Sequence, residues 1–176
     1  MKLKQLAMAA VIAVGSVSTA YAQDITQSIA LVPNATVAGA FSAGWGATHQ
    51  LAGAFTDTFT LTGATGGLFE SVLANIGSMA SSNFDFTSVS INGNAFTISD
   101  AGPVHLASFA LGEVSGPLQL VVSGIAGDGL SQGTGIAASY GAMANVSPVP
   151  ELETLAMMLA GLGVVGTAGR RRMNKG

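Results

Sequence analysis

Two histidines, nine acids and no cysteine bound the chemistry open to this 176-residue chain. Without thiols there are no disulfides, no thiolate nucleophile and no Cys-based zinc site. His49 and His105 lie far apart, in no H-x-H or H-x-x-x-H spacing, so a transition-metal site is not indicated. Ser131 in Leu-Ser-Gln-Gly and Ser139 in Ala-Ser-Tyr-Gly are not nucleophile elbows. No two of the scattered acids are selected as a glycosidase pair. Gly63-Ala64-Thr65-Gly66-Gly67 has no Lys to hold a phosphate. The residues therefore point to no catalytic centre, no cofactor and no metal, and the protein is expected not to be an enzyme.

Asp57 is the acid that most needs an explanation. It shares a strand face with Phe55 and Phe59, and an unpaired carboxylate on a buried face is costly. Between Gln23 and Pro148 there are seven acids (Asp24, Asp57, Glu70, Asp85, Asp100, Glu113, Asp128) and no Lys or Arg. A backbone N–H, a histidine or a cation must then serve Asp57. It pins a loop or strand end, shares a calcium site with another acid, or sits exposed at a sheet edge; no D-x-[DN]-x-[DN]-G loop supports calcium. Asp85 and Asp128 stand in turn contexts, where Asp caps its own backbone. His105 is expected to be exposed or hydrogen-bonded within a strand. Trp45 in Gly44-Trp45-Gly46 either presents its ring to a sugar from a loop or caps the core as a partly buried aromatic.

The elements that must hold these residues read as strands. Phe55–Thr62 alternates Phe, Asp, Phe and Leu with four threonines, a strict period of two. Phe84–Ile91 is a second strand, with a bulge near Thr87-Ser88 to bring Phe84, Phe86, Val89 and Ile91 into use. Asn92-Gly93-Asn94 is a hairpin signal into Ala95–Ile98. Further strands are expected at Val104–Leu111, Leu118–Ile125 and Ile136–Val146, and an early one at Gln27–Val37, broken by Pro33-Asn34. Leu68–Met79 fits an amphipathic helix or a strand with Leu68, Glu70, Val72, Ala74 and Ile76 on one face; its neighbours favour the strand. The expectation is an all-β body, an antiparallel sandwich or jelly roll.

All six basic residues lie at the ends: Lys2, Lys4, Arg170, Arg171, Arg172 and Lys175. The formal net charge of −3 thus hides an acidic body, which excludes a nucleic-acid partner. Residues 1–22 read as a secretory signal peptide, with Ala20-Tyr21-Ala22 as the small-x-small cleavage site. Sec export machinery and signal peptidase are the implied partners. The body spans 23–147. Residues 148–176 combine a Pro/Glu box (149–154), a short glycine-containing apolar segment (155–169) expected to form a short transmembrane helix, and an Arg cluster (170–172). Fifteen helical residues span roughly 22 Å, short of a bilayer core, which suits a transient anchor with the Arg cluster cytoplasmic.

This tail resembles the PEP-CTERM sorting signal of Gram-negative bacteria. Val149-Pro150-Glu151 matches the start of the box, Ala156–Gly163 is similar to the usual helix, and Arg170, Arg171 and Arg172 form the cluster. Leu152 stands where the family has its second Pro. Phe55-Thr56-Asp57-Thr58-Phe59 resembles the FxDxF signature of one subfamily, as do Phe84–Thr87 and Ser139-Tyr140-Gly141. The resemblance implies processing by an exosortase-type membrane enzyme after transient inner-membrane anchoring. It further implies a destination at the cell surface or in an extracellular matrix, where exopolysaccharide and biofilm are made. A carbohydrate-binding module and a tail-anchored periplasmic protein are the alternatives.

Overall fold

The computed structural model describes residues 22–149, together with 156, 157, 159, 160 and 162. The signal segment up to Tyr21, including Ala20, lies outside the described residues, as do Pro150, Glu151 and Arg170–Arg172. Ala156, Met157, Leu159, Ala160 and Leu162 are helical and exposed. Among the described residues no helix is long and apolar enough to cross a membrane.

The body is a sandwich of two sheets. Its strands are β1 (Thr26–Ala30), β2 (Val32–Pro33), β3 (Phe41–Leu51), β4 (Gly53–Thr62), β5 (Gly66–Ile76), β6 (Phe84–Ile91), β7 (Asn94–Ala95), β8 (Thr97–Ala101), β9 (Val104–Ser115), β10 (Leu118–Ala126) and β11 (Gly135–Ser147). One sheet has the order β1-β4-β10-β6-β7 and the other β2-β3-β11-β5-β9-β8. The chain crosses between them at most connections, so strands adjacent in sequence face each other across the core.

Alternation decides which side chains fill that core. On β4, Phe55, Asp57, Phe59 and Leu61 point inward, and the threonines between them line the outer face. On β10, Leu118, Leu120 and Val122 do the same. The bulge on β6 falls at Thr87: Ser88 pairs with Ser123, but Phe86 pairs with Gly124. One extra residue flips the pleat, and Phe84, Phe86, Val89 and Ile91 all become buried. Asn92 (φ 48°) and Gly93 (φ 83°) form the expected two-residue turn.

Three expectations are corrected. The sandwich is not wholly antiparallel: β1 runs parallel to β4, with Gln27 opposite Phe59, because the chain leaves β1 for the other sheet at Leu31 instead of turning back. Leu68–Met79 is a strand, β5, up to Ile76, but its buried face is the odd one, with Phe69, Ser71, Leu73 and Asn75 inside and Glu70, Val72 and Ile76 exposed. Phe41–Leu51, where the sequence suggested a loop around Trp45, is the eleven-residue strand β3.

Candidate functional site

Asp57 is completely buried on β4 and accepts three hydrogen bonds. The backbone N–H of Ile25 donates to Oδ1 at 2.8 Å. Tyr140 Oη–H, from β11 in the opposite sheet, donates to Oδ2 at 2.6 Å. His49 Nε2, from β3, lies 3.0 Å from the same oxygen. A carboxylate has only acceptor sites, so the imidazole N–H is the donor. Asp57 is therefore served by the backbone and by histidine, two of the three sources that an all-acid body leaves open. The third bond comes from a tyrosine that sequence reasoning did not pair with it.

Aromatic rings enclose this centre. Phe84 and Phe86 meet the Tyr140 ring edge-on at 5.3 and 5.5 Å, and Phe55 stacks against it at 6.3 Å. His49 lies 4.5 Å from Phe55 and 5.4 Å from Phe84, centroid to centroid. Burial, the bond to Asp57 and the carboxylate charge all push the Tyr140 phenol well above the usual tyrosine range. The N-terminal segment completes the arrangement: Thr58 N–H donates to Ile25 C=O at 2.8 Å and Thr56 N–H to Asp24 Oδ1 at 2.7 Å. Ala22 packs into the same core.

Asp57 is 0% and His49 and Tyr140 are each 2% exposed. The trio ties one sheet to the other. A buried carboxylate with three donors is stable in a low-dielectric core, and removing any donor strands the rest. Phe55, Asp57, Phe59, Phe84, Phe86 and Tyr140 come from three distant motifs, and the fold gathers them at one point.

The second group of titratable residues lies at one end of the sandwich. His105 on β9 is buried, with Nδ1 2.8 Å from Asp100 Oδ1 and 3.3 Å from Asp85 Oδ1. Asp128 joins Asp85 and His105 around an open cleft of about 680 Å³. Burial, then the charges of Asp128 and Asp100, raise the Asp85 carboxyl above the ordinary range, against the opposing pull of His105 and an Asn83 hydrogen bond. Asp85 and Asp128 were expected to cap their own backbones. Neither does; Asn83 Nδ2 donates to Asp85 Oδ1 at 3.4 Å, and the Gly127-Asp128-Gly129 turn is made by positive-φ glycines. No group of three or more His, Asp or Glu among the described residues has a metal-binding arrangement.

Trp45 is half-buried in β3, its ring 5.7 Å from Phe59. Its indole N–H is buried without an acceptor. It caps the side of the sandwich and does not stand on a loop as a stacking platform.

The chain matches no protein-family model and no curated protein. Among solved structures it is similar to PliG of Aeromonas hydrophila, described as a periplasmic lysozyme inhibitor of g-type lysozyme. The identity is 15% over 70% of this chain and 98% of that one, with a TM-score of 0.33.

Proposed function

We propose that the chain is an exported, non-enzymatic surface or matrix protein, delivered through the Sec route and processed at its C-terminus by an exosortase-type enzyme. The supporting observation is the placement of Asp57. The FxDxF-like segment, the Phe84–Thr87 segment and Ser139-Tyr140-Gly141 supply the parts of one sealed polar lock. Their chemistry is spent on joining two sheets, which fits a signature selected for a rigid body that survives without disulfides. The sorting segments then act as addresses: Ala20 and Ala22 for signal peptidase, and Val149, Pro150, Glu151 and Arg170–Arg172 for the tail enzyme. Val149, the first residue of the box, lies just past the end of β11 and is exposed.

The matrix reading associates the body with exopolysaccharide or biofilm. A dedicated carbohydrate-binding module is the weaker reading, because the inward-turned Trp45 leaves little ring face for a sugar. Intact-mass analysis of the exported protein tests the proposal. The expected species begins at Gln23 and ends before Arg170. A mature species that retains Arg170–Arg172 overturns the sorting assignment in favour of a tail-anchored periplasmic protein.

A further inference from the structure

β3 is a long strand with one open side. Along one edge it pairs with β11 from Phe41 to Leu51, with one irregularity near Gly135. On the other edge only Phe41 and Ser42 are paired, with Pro33 and Val32. From Ala43 to Gln50 no described strand adjoins it. The other outer strands are five residues or fewer (β1, β2, β7, β8), and β8 carries Asp100. Proteins blunt free edges with Lys, Pro, bulges or inward charges. Beyond Ser42, the open edge of β3 has no Lys, no Pro and no charged residue.

Which backbone groups face the opening follows from three bonds. Asn34 N–H donates to Ala40 C=O at 2.7 Å on the β2 side. From the β5 side, Ser71 Oγ–H and Asn75 Nδ2–H reach the C=O of Met143 and Ser139 at 2.8 and 2.7 Å. Odd residues of β11 thus face β5 and even ones face β3. Backbone direction alternates along antiparallel strands, so the odd residues of β3 bond β11 and the even ones face outward. Gly44, Gly46, Thr48 and Gln50 direct their N–H and C=O groups to the open side. A cleft of about 800 Å³ runs beside Thr48–Leu51, with Gln23–Thr26 as its far wall.

We propose that Gly44–Thr48 is a strand-addition site and that its occupant is β3 of a second copy, the two joining antiparallel about a two-fold axis at Gly46. In this register Gly46 faces Gly46 of the second copy, and each Gly44 faces Thr48 of the other. All are outward-directing residues, so each facing pair exchanges two backbone bonds. The inner faces stay in phase, and each Trp45 lies opposite Ala47 of the other copy, which covers the exposed flank of the indole. The exposed glycines put no side chain in the way. Charge permits this occupant at β3. A body with acids and no Lys or Arg repels its own copies wherever acids meet, and β3 is a charge-free stretch. The acid in the cleft wall, Asp24, is already engaged by Thr56 N–H.

Sedimentation of the exported protein across a wide concentration range is expected to reveal a reversible dimer. Gly44→Pro removes one outward N–H per copy and spares the bonds to β11; a Cβ at Gly44 has its nearest neighbour at 3.8 Å. The loss of two hydrogen bonds should weaken the dimer roughly thirtyfold. Gly46→Cys places the sole thiol of the chain on the axis, where mild oxidation should cross-link two copies; Thr60→Cys, on the outer face of β4, should not cross-link. A protein that stays monomeric throughout and fails to cross-link through Cys at position 46 overturns the proposal. So does a dimer unaffected by Gly44→Pro, or one lost only when residues 150–176 are deleted. If Gly44→Pro fails to fold, the two cysteine variants decide the matter alone.

Discussion

Asp57 shows how far a single residue can be read. Its burial follows from Phe55 and Phe59 on the same face, and its need for backbone or histidine donors follows from the absence of any cation in the body. The identity of those donors does not follow, because His49 and Tyr140 reach it from the opposite sheet. Tyr140→Phe removes one bond to a charged acceptor and should cost about 1.5–3 kcal/mol. Asp57→Ala strands the Tyr140 hydroxyl, the His49 N–H and the Ile25 N–H together, and should cost about 3–5 kcal/mol. Urea unfolding of the two variants checks the order. Equal, small losses would mean that the trio does not join the sheets. His105 was legible as a hydrogen-bonded strand residue, but its two acid partners were not, since the sequence assigned Asp85 to a turn.

At the scale of elements, strands with large apolar residues at period two were legible and the glycine-rich one was not. Phe55–Thr62 and Phe84–Ile91 stand where alternation puts them, bulge included. In β3 the inward residues are Ala43, Trp45, Ala47 and His49 and the outward ones include Gly44 and Gly46. Small residues on both faces erase the contrast that alternation needs, and so a strand read as a loop. In β5 both faces carry apolar residues, and the face turned toward the opposite sheet is the one that is covered. The β6 bulge depends on its neighbour: a Cβ on Gly124 would lie 2.5 Å from Asp85 C=O and 2.9 Å from the Phe55 ring. Gly124→Ala should therefore cost about 1–3 kcal/mol through overpacking, read from its chemical-denaturation midpoint. A neutral effect would show that the bulge can relax away from β10.

For the whole molecule the controlling quantity is charge. Six of the seven body acids remain outside the core, with no Lys or Arg among them to offset their repulsion. Salt screens such repulsion over roughly 10 Å at 0.1 M. Thermal midpoints measured between about 10 mM and 0.5 M sodium chloride should rise with salt, and a flat profile would mean that the exposed acids lie too far apart to interact. The sequence by itself determined the acidic body, the basic ends, the all-β class and the unusual demand of Asp57. Composition and alternation are local properties, and local properties are visible in one dimension. Only the tertiary structure decided that β1 runs parallel to β4, that His49 and Tyr140 answer Asp57, and that β3 has an open edge. Those outcomes depend on which strands become neighbours, a choice made by packing across the core between residues as far apart as Asp57 and Tyr140.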